Sequence, residues 1–238
     1  MIVLNNFEEN YLLVRQKEDR LYTDEQVKWL PEIEQSNPHY KEWQIRAGSC
    51  NRLIQHLSNK KIKLNILEVG CGNGWLCHRL SKIPGSDVAG IDINKTELDQ
   101  AKRVFNSIEN LEFFYGEIID ETTRNEKFDV IIFAASIQYF PSLDEILPLT
   151  LELLNPGGEI HILDSHFYKS SELETARKRS ADYYQSIQFS EMSKHYFHHS
   201  LDELKPYNYK VFYTPDLFIN RLIKNKNPFH WICVYHHV

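Results

Sequence analysis

The chain has 238 residues, of which 42% are hydrophobic and 25% charged, and its formal net charge is −6. This length allows one large domain with a sizeable core, and the acidic balance argues against broad nucleic-acid binding, which requires a cationic surface. No apolar run approaches the roughly 20 residues of a membrane-spanning helix, and the N-terminus lacks a signal-peptide pattern. The 4 cysteines do not suggest a fold held together by disulfides. We expect a cytoplasmic protein with reduced thiols that binds neither nucleic acid nor membranes.

The first sixty residues have no strong strand signal and are predicted to be helical. Between residues 40 and 58, apolar side chains recur at alternating steps of four and three, which is the pattern of one helix face. We therefore expect residues 1–60 to form a helical cover on a domain spanning residues 61–238. The apolar positions of this helix face are Trp43, Ala47, Cys50, Ile54 and Leu57.

From residue 62 onward, apolar strands alternate with helices. Five strands joined by crossover helices imply a doubly wound parallel sheet with helices on both of its faces. Asn94 with Glu97, and Ser142 with Glu145, have the spacing of helix capping pairs. The five strand segments are "IKLNILEVG", "DVAGIDI", "LEFFYGE", "FDVIIFA" and "EIHILDS".

The regular alternation ends after the fifth strand. Residues 168–206 are rich in Tyr, Phe and His and are predicted to form a helical insertion. The segments "YKVFYTP" and "FHWICVYHH" then supply two more strands, one of them antiparallel. The predicted fold is an α/β domain with a mostly parallel seven-stranded sheet and a helical N-terminal extension.

The segment "ILEVGCGNGWLC", residues 66–77, places Gly70, Gly72 and Gly74 between the first strand and its helix. Ligands bind at this carboxyl edge of an open parallel sheet. Glycines permit a sharp turn and let a ligand approach the backbone closely. The N–H groups of the following helix suit an anionic group of that ligand.

Glycine spacing and an acidic residue after the turn narrow the choice of ligand. A dinucleotide fingerprint, G-x-G-x-x-G, would need its third glycine where Trp75 stands. Asp92 ends the second strand, where a carboxylate can accept both hydroxyl groups of a ribose. Ribose recognition suits NAD and an adenosyl cofactor equally, but Trp75 disfavours a nicotinamide-dependent oxidoreductase.

Four segments in the same order and spacing resemble the motifs of the class I S-adenosylmethionine-dependent methyltransferases. The resemblance covers about residues 62–165 and implies the Rossmann-like methyltransferase fold, with S-adenosylmethionine as the cofactor. The matching segments are "ILEVGCGNGWLC", "VAGIDIN", "FDVIIFAASIQYF" and "LLNPGGEIHIL".

The resemblance implies roles for the residues that surround the cofactor's methionine portion. Gly70, Gly72 and Gly74 would let the backbone pass that portion. Glu68 would support the turn and the cofactor's amino group, to which Ala134 would offer its carbonyl oxygen.

The resemblance also implies roles for the residues that surround the cofactor's adenosine portion. Asp92 would hold the ribose hydroxyls, and Ile93 would pack on one face of the adenine. Glu117 and Ile118 occupy a place where the family often has an acidic residue followed by an apolar one near the adenine, although aspartate is commoner there. Many relatives carry a histidine where this chain has Gln138. Chemistry that depends on that histidine is therefore not expected in this chain.

The two cysteines of the glycine segment admit a second interpretation as a thiol or metal site. A structural zinc site needs four ligands in paired short spacings, and a redox site favours C-x-x-C. Cys71 and Cys77 satisfy neither pattern. We expect no metal site here, with Cys71 counted among the cofactor-binding residues and Cys77 in the core.

Outside these motifs, three features are candidates for chemistry. His166 follows the fifth strand and could accept a proton from an acceptor, or could be structural. Arg46 could pair with the cofactor's carboxylate or form a surface salt bridge. The segment "HYFHH", residues 195–199, could hold a metal, contact substrate or form a partly exposed aromatic surface.

The expected reaction is methyl transfer from the cofactor's sulfonium to a small-molecule acceptor. The helical cover and the insertion would build the acceptor pocket, and their aromatic residues favour a small, partly apolar molecule. A cofactor-binding protein without catalysis, in a regulatory or interaction role, is the alternative. The sequence leaves open the acceptor, the atom methylated, the use of a general base and the oligomeric state.

Overall fold

Nine strands lie in the part of the chain that this computed structural model describes, residues 5–118, 126–215 and 227–236. They are β1 (Leu64–Val69), β2 (Ser86–Asp92), β3 (Leu111–Tyr115), β4 (Phe128–Ala134), β5 (Leu154–Leu163), β6 (Phe167–Tyr168), β7 (His199–Ser200), β8 (Asn208–Tyr213) and β9 (Trp231–Tyr235).

Seven of these strands form one sheet in the order β3-β2-β1-β4-β5-β9-β8. The first five positions pair in parallel, and β9 runs antiparallel to both of its neighbours. The order reverses between β1 and β4, which is the switch point where open α/β sheets bind ligands. The seven-stranded, doubly wound and mostly parallel sheet predicted from the sequence is confirmed.

Helices cover both faces of the sheet. The face that carries Ile66 of β1 packs against the helices that flank the glycine turn, whereas the face that carries Leu67 packs against a helix between β4 and β5. The helices are α1 (Asn5–Lys17), α2 (Asp24–Trp29), α3 (Tyr40–Ser58), α4 (Trp75–Leu80), α5 (Lys95–Val104), α6 (Leu143–Glu152) and α7 (Leu173–Ser186).

The buried face of α3 differs slightly from the predicted one. Its buried side chains include Ser49 and Leu53, whereas Ala47 and Ile54 are only partly buried. Ser49 turns inward because its hydroxyl donates a hydrogen bond of 2.6 Å to the buried carboxylate of Asp164. Because of this polar contact, the buried face of α3 is shifted from the one that apolar periodicity alone predicts.

The two predicted capping pairs have different outcomes. Asn94 caps α5, because its side-chain oxygen accepts the backbone N–H of Glu97 at 3.0 Å. The Asn94 N–H donates to Asp92 rather than to Glu97, so the pair is not a reciprocal capping box. Ser142 precedes α6 but makes no side-chain capping bond, and nothing in the structure explains this difference.

The insertion after β5 is less helical than predicted. It contains α7 and several single turns of 3-10 helix, and its two ends are joined by strands. Phe167 pairs with His199 and Tyr168 with Ser200 in a short parallel ladder. This pairing closes the α7 segment into a loop that starts and ends beside the exit of β5.

The N-terminal helices attach to α5. One Glu8 carboxylate oxygen accepts the backbone N–H of Lys95 at 2.7 Å and that of Thr96 at 3.4 Å, at the positive end of the α5 dipole. The side chain of Arg103 pairs with Asp24 at 2.7 Å. These contacts hold α1 and α2 above the edge of the sheet that bears the glycine turn.

No helix within the described ranges combines the length and the apolar character that crossing a membrane would require.

Gly74 begins α4 in the left-handed region, with φ of +74°. A Cβ atom there would lie 2.5 Å from the ring of Phe113, whereas a Cβ at Gly157, with φ of +79°, would meet nothing within 4 Å. Because both alanine variants share the backbone strain, we expect Gly74→Ala to lower the free energy of unfolding by about 1–3 kcal/mol more than Gly157→Ala. Urea denaturation measures both, and equal losses would contradict the packing assignment.

Candidate functional site

The glycine turn packs directly against the exit of β4. Gly70 has φ of +75°, and a Cβ atom on it would lie 2.6 Å from the Cβ of Ser136. The Ser136 hydroxyl donates to the carbonyl of Val69 at 2.6 Å. Glycine at this position therefore brings the ends of β1 and β4 together.

Asp92 ties this turn to the end of β2. One carboxylate oxygen accepts the N–H of Gly72 at 2.6 Å, and the other accepts the N–H of Asn94 at 2.7 Å. Burial raises the Asp92 pKa to about 7 despite these bonds. The residue predicted to hold the ribose thus also fixes the turn and the start of α5.

Glu68 lies beneath the turn and is only 2% exposed. Its carboxylate accepts the thiol hydrogen of Cys77 at 2.9 Å. Burial raises its pKa to about 8. At neutral pH the folded chain therefore holds a proton on Glu68 that the unfolded chain would release.

The two cysteines of the turn are core residues. A Cβ atom on Gly90 of β2 would lie 2.8 Å from the Sγ atom of each, so both thiols pack on that strand. Burial raises the pKa of Cys71 to about 11 and that of Cys77 well above its usual value. The thiols stay protonated at neutral pH, which disfavours nucleophilic chemistry.

Two cavities meet at the turn. One of about 370 Å³ lies over the ends of β2 and β3, and one of about 530 Å³ lies over the ends of β1, β4 and β5. They share Gly70, Gly72 and Ala135, together with Tyr11, Glu97 and Tyr139. The two cavities therefore adjoin each other at the switch point of the sheet.

The predicted site residues divide between these cavities according to their predicted roles. The smaller cavity is lined by the adenosine residues Asp92, Ile93, Glu117 and Ile118. The larger cavity is lined by Arg46, Glu68, Cys71, Ala134 and His166. Gly74 lines neither cavity. A Cβ atom on it would meet Phe113 and Ala101, and its role beside the methionine portion stays a prediction.

Arg46 lies at the wall of the larger cavity and pairs with an acid. Its guanidinium contacts one carboxylate oxygen of Glu42 at 3.0 Å, and Arg20 contacts the other at 2.6 Å. Burial opposes ionisation of Glu42, but the Arg20 hydrogen bond and the Arg46 charge outweigh it and lower the Glu42 pKa to about 2. Arg46 is thus held at the cavity in an ionised cluster.

His166 reaches the larger cavity from the loop after β5. Its ring lies against Phe229, with centroids 4.6 Å apart. The residue is exposed to solvent on one side, and partial desolvation together with the nearby charges of Arg179 and His230 lowers its pKa. His166 is therefore neutral at pH 7, the state in which an imidazole can accept a proton.

Gln138 is engaged at both ends of its amide. Its Nε2 donates to the carbonyl of Ala135 at 2.6 Å, and its Oε1 accepts the hydroxyl of Ser165 at 2.8 Å. This side chain links the exits of β4 and β5 at the floor of the larger cavity.

The histidines of segment 195–199 point to different partners. His198 contacts the Ser180 hydroxyl at 2.8 Å, His199 contacts the carbonyl of Ile137 at 3.3 Å, and the ring of His195 lies against Phe7. His195 lines the smaller cavity. Separate partners do not favour the metal interpretation and instead support a structural role.

A cluster of metal-ligand type does occur at the far end of α3, formed by His56, Glu159 and His161. The indole N–H of Trp231 donates to Nδ1 of His161 at 3.1 Å, so Nε2 of His161 carries the hydrogen and donates it to Glu159. The Nζ atom of Lys60 pairs with the other carboxylate oxygen of Glu159 at 2.8 Å. Hydrogen bonds and an ion pair therefore account for this cluster.

Sequence reasoning missed Glu97 and Asp164 as cavity residues. Glu97 reads as the partner of a helix cap, yet its Oε2 lies 3.1 Å from where a Cβ on Gly72 would be. Asp164 directly follows β5 in the left-handed region, with φ of +53°. Aspartate tolerates the left-handed region as a single residue, and no local sequence pattern indicates that Asp164 lines the cavity.

Comparison with known proteins agrees with this geometry. A methyltransferase-domain family model matches residues 60–209. The malonyl-[acyl-carrier protein] O-methyltransferase of Acetivibrio thermocellus is 30% identical over 141 residues, 57% of this chain and 49% of that protein. A ubiquinone biosynthesis O-methyltransferase of Nitrosococcus oceani is 36% identical over 98 residues, 40% of this chain and 41% of that protein.

The fold similarity extends further than the sequence similarity. The magnesium protoporphyrin IX methyltransferase of Synechocystis, solved with bound SAH, superposes with a TM-score of 0.62 at 13% identity over 99% of both chains. The chain belongs to the class I S-adenosylmethionine-dependent methyltransferase family. It spans less than half the length of the two curated relatives named here.

The raised pKa of Glu68 predicts how stability depends on pH. Because the folded state binds this proton more tightly than the unfolded state, the free energy of unfolding falls as pH rises from 4.5, the ordinary glutamate value, through about 8. One such group contributes up to about 1.4 kcal/mol per pH unit. We expect Glu68→Gln to flatten this decline in urea titrations between pH 5 and pH 8.

The matched control is Glu174→Gln, which alters an exposed glutamate of α7. That variant should reproduce the wild-type slope. If the Glu68→Gln curve ran parallel to the wild-type curve, Glu68 would not hold its proton in the folded chain.

Proposed function

We propose that this chain transfers a methyl group from S-adenosylmethionine to a small-molecule acceptor. The observation that carries the proposal is the pair of cavities that meet at Gly70 and Gly72. The smaller one collects the residues suited to an adenosine, and the larger one extends from the turn to the helical insertion. A donor and an acceptor can thus lie end to end across the turn.

The chemistry of the residues fits the cofactor. Each oxygen of the Asp92 carboxylate accepts one backbone N–H and keeps a second lone pair, so it can also accept a ribose hydroxyl. Gly70 and Gly72 present bare backbone where the cavities join. Arg46 offers a guanidinium for the cofactor's carboxylate, and Ala134 offers a carbonyl oxygen for its amino group.

We assign the parts of the chain accordingly. Residues 1–60 are proposed as the cover and residues 61–238 as the catalytic domain, within which segment 168–206 forms one wall of the acceptor pocket. This division is supported by α1 and α7, which both contribute side chains to the larger cavity, including Tyr11 and Tyr184. The first four residues and the last two lie outside the described ranges.

The cofactor supplies a reactive sulfonium methyl group when bound. The residues of this chain have to hold the acceptor atom in line at roughly 3–3.5 Å and keep water away. The exits of β4 and β5 set the floor for this approach through the bonded pair Gln138 and Ser165. Tyrosines from α1 and the insertion close the space above it.

An acceptor that is methylated on the oxygen of an alcohol or the nitrogen of an amine must lose a proton. His166 is the proposed proton acceptor, because it lines the cavity and its lowered pKa keeps it neutral at pH 7. The two curated relatives are O-methyltransferases by name, which supports an oxygen atom as the nucleophile.

Calorimetry tests the cofactor assignment. We expect the wild-type chain to bind S-adenosylmethionine with micromolar affinity and Asp92→Ala to bind it at least roughly tenfold more weakly, a loss of about 1.4 kcal/mol. Asp99→Ala, on the exposed side of α5, is the control and should bind as the wild type does. Absence of binding by the wild type would refute the proposal.

A further inference from the structure

Four tyrosines form one continuous wall in the larger cavity. The ring centroids of Tyr11 and Tyr139 are 5.8 Å apart, those of Tyr139 and Tyr196 are 5.9 Å apart, and those of Tyr184 and Tyr196 are 6.0 Å apart. The rings meet edge to face, which leaves flat surfaces and ring edges turned to the cavity. This wall joins α1, the exit of β4 and the insertion.

The hydroxyl groups of this wall face the cavity without partners from the protein. Among the described residues, the side-chain oxygens of Tyr11, Tyr184 and Tyr196 make no hydrogen bond, and all three residues line the larger cavity. A phenol hydroxyl both donates and accepts hydrogen bonds. These hydroxyl groups can therefore donate to oxygen atoms of a bound molecule.

Arg15 lies beside the same wall and is similarly under-satisfied. Its side chain is 17% exposed, and its Nε is buried without a partner among the described residues. The nearest described carboxylate, Glu97, is 3.9 Å away. Arg20 and Arg46, which line the same cavity, are each within 3.0 Å of a Glu42 oxygen.

Glu97 shows on which side of the site Arg15 acts. Its Oε1 faces Arg15, whereas its Oε2 is the atom close to Gly72 of the turn. Glu97 therefore stands between Arg15 and the turn across which the cofactor is proposed to lie. A carboxylate held by Arg15 is better placed on the acceptor than on the cofactor, for which Arg46 is available.

We propose that the acceptor is a small carboxylic acid with a flat apolar body. Arg15 holds its carboxylate, because a guanidinium matches carboxylate oxygens, and the hydroxyl groups of the tyrosine wall supply further donors. The tyrosine rings and Met192 cover its apolar body. This inference rests on the proposed function, which makes the larger cavity the acceptor site.

Calorimetry with paired ligands tests the inference. The probes are benzoate against benzamide and 3-phenylpropanoate against 3-phenylpropanamide, each titrated into the wild-type chain saturated with S-adenosylhomocysteine. Each pair shares its shape and differs in charge. We expect each acid to bind at least roughly tenfold more tightly than its amide, about 1.4 kcal/mol, because a charged hydrogen bond is the stronger one.

Two variants and one control identify the residues that cause the preference for the acid over the amide. Arg15→Gln should abolish it without changing affinity for S-adenosylhomocysteine, whereas Lys17→Gln, which removes the same charge from an exposed position of α1, should leave it intact. Tyr196→Phe keeps the ring and removes one hydroxyl, so it should weaken binding of the acids alone. Thermal melting verifies that each variant is folded.

Four results would overturn the inference. Equal affinity for acid and amide, or binding of neither by the saturated wild type, would exclude an acid acceptor while leaving the cofactor assignment standing. Loss of S-adenosylhomocysteine affinity in Arg15→Gln would place the cofactor's carboxylate on Arg15. Failure of the wild type to bind S-adenosylhomocysteine at all would refute the proposed function itself.

Discussion

The site depends on two hydrogen bonds accepted by Asp92. A partly buried carboxylate at the end of β2 holds the N–H groups of Gly72 and Asn94, and thereby fixes the glycine turn and the start of α5 in one arrangement. Both cavities border this arrangement. The energetic cost of burying Asp92 appears in its raised pKa, and a ligand that brings hydroxyl donors would lower that cost.

Buried acids and arginines set the electrostatics of the rest of the site. Glu68 and Asp164 lie deep in the larger cavity and have raised pKa values, so both resist ionisation. The arginines stay charged. The carboxylate of Glu42 pairs with Arg20 and Arg46, whereas Arg15 has no carboxylate closer than 3.9 Å among the described residues. Arg15 is therefore the guanidinium most available to an anionic guest. It is α1 and the insertion, rather than the sheet, that supply Arg15 and most of the tyrosines around it.

Local pattern predicted the sheet well because strand periodicity and glycine turns are short-range signals. The five parallel strands and the presence of an antiparallel strand near the C-terminus follow from such patterns, and the family resemblance implies the grouping of Asp92 with Glu117. Neither signal gives the spatial order of the strands. The pairing of Phe167 with His199 spans 32 positions and depends on tertiary contact alone. The position of Glu97 at the cavity could not be predicted for a different reason, because a role as a helix-cap partner already accounts for a glutamate there.

The central claim is that one molecule of cofactor spans both cavities across the glycine turn. A crystal structure of the chain with S-adenosylhomocysteine tests it most directly. We expect adenine in the smaller cavity, ribose hydroxyls within about 3 Å of the Asp92 carboxylate, and the amino-acid end beside Gly70 in the larger cavity. Adenosine bound anywhere else, or ribose out of reach of Asp92, would contradict it.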